Sequence, residues 1–335
     1  MATYYVTSAD VGAPALTGQN GSLCTVMDYI LNTVAGLTIH FTATNIRIYT
    51  MPDAAATQLR FCHDSAVSGD ARFCIVRQAE SASAHSTLVD PSPTVALIAD
   101  TSANWVLSAT ANATARSWWA LVDTTNPCLI FLVDTDNAAG TVAGFIRGGG
   151  FWFGAQSQLA SDNYAGLVFV RNTTSTSTGV TATCPFMQFF RPDSGQSQLA
   201  WKRSRDGTIK SVRGFLGPVL HASAMPGVGG GPAYPHPDDT KMRKCKVYAG
   251  DNYSQSGTPG AAVEPLRMWL PHVWMGMHLT SNYSSINIGD LVSDTAYDAV
   301  NGGTSQFAFF PFLSAVGVNG AILLEITNTW HQPVI

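Results

Sequence analysis

The sequence predicts a mainly β protein: antiparallel sandwich- or jelly-roll-like units with one short N-terminal helix. Three observations lead there. Apolar runs of strand length follow one another with polar turn-formers between them, and a single segment carries helical periodicity. Alternation of helix with strand, the mark of a doubly wound parallel sheet, is missing.

The helix is expected over 22–35. In GSLCTVMDYILNTVAG, Leu23, Met27, Ile30, Leu31 and Val34 recur at three- and four-residue spacing, with Asn20 or Ser22 placed to cap the start and Gly36 to close the end. Residues 58–79 read as a hairpin: QLRFCHD and ARFCIVRQ flank a turn near Ser68-Gly69-Asp70. A turn centred on Ser68 pairs Phe61 with Ile75, Asp64 with Arg72, and Cys62 with Cys74. Further strands are expected at 104–109, 116–123, 127–134 and 164–171. QLAWKRSRDGTIKSVRGFLG then reads as a hairpin turning at Arg205-Asp206-Gly207. Strands resume at 243–249, 266–279, 305–313 and 320–330.

At 335 residues the chain suggests two units, 1–200 and 201–335, the second carrying a long Gly/Pro loop at 222–240. That loop, ASAMPGVGGGPAYPHPDDT, holds no charged residue before Asp238, so it reads as an arm laid on a surface rather than a solvated linker.

Composition narrows the function. Charged residues make up 12%, about half the roughly 25% usual for soluble domains. Aromatics reach 10%, which excludes a disordered chain. A weakly charged surface repels copies of itself little, which suits a protein covered by neighbours. The net charge of −4 gives no reason to expect a nucleic-acid partner. The one basic cluster, Lys241, Arg243, Lys244 and Lys246, reads as an edge-strand guard. No signal peptide and no membrane-length apolar run is evident, so synthesis and folding in a host cytoplasm are expected. The six cysteines have no C-x-x-C spacing and read as reduced thiols.

The chemistry-bearing patterns are weak. Gly148-Gly149-Gly150 and Gly229-Gly230-Gly231 lack phosphate-loop spacing and a following Lys-Ser/Thr. His272 and His278, on one face of an expected strand, stand about 20 Å apart at 3.3 Å per residue, too far for one metal. Asp134-Thr135-Asp136-Asn137 opens like a calcium loop, but Ala138 and Ala139 follow where ligands are needed. No G-x-S-x-G elbow and no activated cysteine is present. Carboxylates that converge only in space are candidates for sugar hydrolysis: Asp123, Asp134, Asp238, Asp239 and Glu264. Trp118-Trp119, Phe151-Trp152-Phe153, Trp269 and Trp274 are candidates for stacking on sugars. Since neighbours on a strand point to opposite faces, one of each pair is expected in the core and the other under a neighbouring subunit. No catalytic residue, cofactor or metal site is therefore assigned.

The opening YYVTSADVGAPALTGQNGSLCTVMDYIL, through Ser8, Asp10, Gly12, Ala13, Pro14, Leu16, Gly18, Gly21, Ser22 and Leu23, resembles the start of a group of tailed-phage virion proteins. The hairpin at 58–77, ATARSWWALVDTT at 113–125, the stretch from Arg213-Gly214, and Glu325 to Trp330 are similar to later elements of that group. The resemblance implies a virion structural subunit, of tail or baseplate, acting by assembly with copies of itself and other virion proteins. A tail-tip protein binding host-surface glycan, or a capsid decoration protein, is the alternative.

Overall fold

The computed structural model describes residues 3–51, 59–64, 73–79, 81–84, 86–89, 104–106, 112–133, 150–155, 166–171, 198–203, 209–212, 215–216, 242–248, 268–277, 288–294, 305–314 and 317–327. The described part is mostly strand in antiparallel sheets, with one short helical segment and no closed barrel.

Strand β1 (Thr3–Thr7) precedes the helix. β2 (Ile39–Ala43), β3 (Ile46–Met51), β4 (Leu59–Asp64), β5 (Phe73–Ala79) and β8 (Asn104–Val106) form a five-stranded sheet in the order β2-β3-β4-β5-β8. Between them, β6 (Ser81–Ala82) and β7 (Leu88–Val89) make a two-stranded ribbon. β9 (Trp118–Asp123), β10 (Cys128–Val133), β11 (Gly150–Ala155), β12 (Gly166–Arg171), β13 (Gln198–Arg203) and β14 (Ile209–Val212) follow as a meander, with β1 added outside β9 to make seven strands. The last sheet holds β15 (Phe215–Leu216), β16 (Met242–Tyr248), β17 (Met268–Met277), β18 (Leu291–Asp294), β19 (Ser305–Ser314) and β20 (Gly317–Glu325), ordered β15-β16-β17-β20-β19-β18. The hairpin expected to turn at Arg205-Asp206-Gly207 is β13–β14, closing with Arg203 opposite Ile209.

The helix occupies the expected place in two forms. Helix α1 (Ser22–Met27) passes into a π-helical stretch, Asp28–Val34. There Ala35 N–H donates five residues back, to the Ile30 carbonyl at 3.1 Å. Leu23, Val26, Met27, Ile30 and Leu31 are all buried, so the expected apolar face is the one that packs. The cap differs from expectation. Gly21, left-handed at φ 80°, holds the N-cap position with no side-chain cap. Ser22 instead turns its hydroxyl back, accepting the Thr17 N–H at 2.7 Å. Gly36, at φ 68°, closes the C-terminus as expected, donating its N–H to the Asn32 carbonyl at 3.2 Å.

The segment that leads into the helix is fixed residue by residue. Asp10 accepts the Thr7 N–H at 2.9 Å and the Thr7 hydroxyl at 3.0 Å. Ser8 pairs with Trp118 through both backbone and hydroxyl, at 2.9 and 3.2 Å. The Trp118 indole donates to the Pro14 carbonyl at 3.1 Å. Leu16 is fully buried and bridges to Arg116, whose N–H reaches the Leu16 carbonyl at 2.8 Å. The run thus laces β1, β9 and the helix together, leaving Val11 at its tip fully exposed (101%).

The main core lies between the helix, β3 and β5 on one side and a face of the seven-stranded sheet on the other. From that face come Val6, Trp118, Ala120, Val122, Leu129, Phe131, Val133, Phe151 and Phe153. Leu121, Ile130 and Trp152 occupy the opposite face and are equally buried. Burial on both faces is why β10 reads as the unbroken apolar run CLIFLV rather than alternating.

The first expected hairpin forms, but in another register. Asp64 stands opposite Ile75 and Cys62 opposite Arg77, a displacement of three residues, while Cys74 pairs with Trp105 of β8. Cys62 and Cys74 are therefore not cross-strand partners. The turn near Ser68, like the 222–240 loop, lies outside the described residues.

Candidate functional site

Side chains alternate along β9. Trp118, Ala120 and Val122 enter the helix-side core, so Trp119, Leu121 and Asp123 face the other way, toward the last sheet. Trp119 meets Phe310 of β19 edge-on at 5.6 Å. It also lies so close to Gly289 that no Cβ would fit there. Asp123 ends the strand and closes a turn with its own carboxylate. Oδ1 accepts the N–H groups of Thr125 and Asn126 at 2.6 and 3.0 Å, and Oδ2 accepts the Asn126 amide at 2.9 Å.

The last sheet answers with His272. It sits where the β16–β17 register shifts: Lys244 faces Trp274, yet Lys246 faces Trp269. Such a bulge re-aims side chains, and His272 adopts a left-handed φ of 62°. Its Nε2 lies 2.7 Å from Asp123 Oδ2, and its Nδ1 lies 2.7 Å from the carbonyl oxygen of Glu325 on β20. The Glu325 carboxylate in turn accepts the Trp274 indole N–H at 2.8 Å and the Thr327 hydroxyl at 3.1 Å. His272 is 0% exposed, Asp123 and Glu325 1%.

The electrostatics follow from this geometry. Burial alone would raise the Asp123 pKa. Hydrogen bonds from His272 and Asn126, with the charge on His272, more than offset that and hold the carboxyl below its ordinary value. Asp123 is therefore a carboxylate. A carbonyl oxygen can only accept, so Nδ1 carries a proton, and a carboxylate likewise requires one on Nε2. Both ring nitrogens of His272 are thus engaged. Cys128, opposite Asp123 in register, has its thiol pushed well above the usual range by burial and by the Asp123 charge, so it is no nucleophile. What the cluster does is join β9, β17 and β20 by charge-assisted hydrogen bonds.

Of the residues singled out from sequence, Asp123 and Trp274 come together here, with His272 rather than a second carboxylate as the acid's partner. His278 lies beyond the end of β17 and outside the described residues, as do Gly148, Gly149, Asp134, Asp136, Asn137, Gly229–Gly231, Asp238, Asp239 and Glu264. Gly150 opens strand β11. The aromatic pairs need a correction. Trp118, Phe151, Trp152 and Phe153 are all fully buried within this chain, and Trp119 is partly buried against Phe310. Glu325 and the His272–Asp123 contact have no local sequence signature. Pro271, inside an expected strand, was the available sign of the bulge.

Among the described residues no group of His, Cys, Asp and Glu gathers to hold a metal ion, and no helix is long and apolar enough to cross a membrane. No family model, curated protein or solved structure matches the chain.

Proposed function

We propose that the chain is a structural subunit of a tailed-bacteriophage virion, in the tail or baseplate, which acts by assembling with copies of itself and with other virion proteins rather than by catalysis. The observation that carries this reading is the run from Ser8 to Leu23. It bears the resemblance to tailed-phage virion proteins, and its Ser8, Asp10, Pro14 and Ser22 make the hydrogen bonds that lace β1, β9 and the start of the helix together. The charged fraction of 12% supports the reading, since a sparsely charged surface favours close packing of subunits. The glycan-binding alternative would draw on the paired aromatics, and the burial of Trp118 and of Phe151 to Phe153 weighs against those rings.

Antibody-gold labelling and cryo-EM of intact particles test the proposal. Density for the chain in tail or baseplate supports it. Density on the capsid shell replaces it with a decoration role, and absence from the particle refutes it. The reading of residues 222–240 as an arm, made from composition alone, has its own test: limited proteolysis is expected to cut there in the free chain and to spare the site in the particle.

A further inference from the structure

We propose that Asp123 and His272 form a one-proton latch that fastens the last sheet to the seven-stranded sheet only while a single proton is shared between them. The geometry requires it. Both ring nitrogens lie 2.7 Å from oxygen atoms, in a position closed to water. Nδ1–H is committed to the Glu325 carbonyl. The Nε2···Oδ2 contact then holds one proton. If that proton is removed, a nitrogen lone pair faces an oxygen lone pair at hydrogen-bond distance. If a second is added, two hydrogens face each other. Either error lies at an interface where no solvent can enter to correct it.

The surroundings bias the pair toward the charged form. Besides the pair itself, the described residues bring two other ionisable groups to the cluster, Glu325 and Cys128. Asp123 of β9 already accepts three N–H donors from Thr125 and Asn126. Glu325 of β20 turns its carboxylate to Trp274 and Thr327. Cys128 of β10 is held protonated. The left-handed backbone of His272 and the bulge around it show that the chain is shaped to deliver this ring. Raising the pH removes the shared proton, so the latch releases toward alkali, and the two sheets part along Trp119–Asn126, His272–Trp274 and Glu325–Thr327.

The test uses the full chain labelled with ¹⁵N-histidine, with His272→Gln identifying the His272 signals. At neutral pH both ring nitrogens are expected to carry protons. Hydrogen exchange is then followed at about pH 7 and about pH 10, corrected for intrinsic exchange, a range that lies wholly above the ordinary histidine value of about 6.5. Protection of the three seam segments is expected to fall several-fold toward alkali, while Leu23–Leu31 and Leu129–Val133 hold theirs. In Asp123→Asn the new amide can donate to a neutral Nε2, once Asn126 turns its own amide over. That variant is expected to reverse the response, keeping the seam closed in alkali and loosening it at about pH 5. A singly protonated His272 ring in the folded wild-type chain at neutral pH overturns the proposal. So does an Asp123→Asn variant that keeps the wild-type pH response. If Asp123→Asn does not fold, the protonation state of the wild-type ring decides alone.

Discussion

Replacing Trp118 probes the core most directly. Its side chain is fully buried, tilted on Phe131 at 6.1 Å and edge-on to Tyr29 at 6.3 Å, and its indole N–H is held by the Pro14 carbonyl at 3.1 Å. A buried tryptophan removes about 150–250 Å² from water, which at about 25 cal/mol per Å² amounts to about 4–6 kcal/mol. The orphaned Pro14 carbonyl adds about 1 kcal/mol, while partial collapse of the cavity returns some of the total. Trp118→Ala is therefore expected to cost about 4–5 kcal/mol, near the upper end for such truncations. Trp118→Phe keeps a ring on Phe131 but forfeits the hydrogen bond and part of the volume, and should cost about 1–3 kcal/mol. Urea unfolding followed by far-UV circular dichroism measures both, the slope serving to check that the unfolded state is unchanged. A Trp118→Ala cost below about 2 kcal/mol would refute the placement of this ring, as would equal costs for the two variants.

Three other outcomes are expected. Gly154→Ala would place a methyl 2.6 Å from the Pro127 carbonyl oxygen and 2.7 Å from the Trp152 ring. A backbone atom cannot retreat as a side chain can, so a loss of about 1–3 kcal/mol is expected by thermal melting. Tyr49→Phe removes the hydroxyl that donates to Asp28 at 2.7 Å; Arg47 still holds that carboxylate through both oxygens, so the cost should stay near about 1.5–3 kcal/mol in urea titration. Asp123, whose folded pKa is lowered, contributes stability that is complete above the unfolded carboxylate value of about 3.9 and is lost as pH falls through its folded value below that. The acid limb of a stability–pH profile should accordingly lie below the ordinary carboxylate range, and should move up toward the histidine range in Asp123→Asn.

The helix was legible because five apolar residues keep its period, and that signal is indifferent to whether the turns close as α or π. Strand β10 was legible for the opposite reason: an apolar run without period fits a strand buried on both faces. The hairpin of β2 and β3 was absent from the expected strands. Its first strand, β2, is partly exposed along its whole length, and its two-residue connection rests on Asn45 at φ 62° without a following glycine to announce it. The first hairpin was located but misregistered, since eight residues join its strands and a loop of that length does not dictate pairing. The acid–histidine cluster was least legible. Its members are 149 residues apart, and the ring is aimed by a bulge rather than by alternation.

The threading of β1 outside β9 also sets a schedule. Thr7 finds its partner only when Trp119 exists, and Asp123 waits a further 149 residues for His272. At about 5–20 residues per second of synthesis, the second wait lasts about 7–30 s. Throughout it the Trp119–Leu121–Asp123 face has no covering sheet, and a buried-to-be carboxylate stays hydrated. The helix and the five-stranded sheet, which cover the other face, are encoded before β9 and are available to it from the start. A chain that folds as it is made would therefore bury its helix-side core first and leave the other face of β9 bare until β17 and β20 arrive.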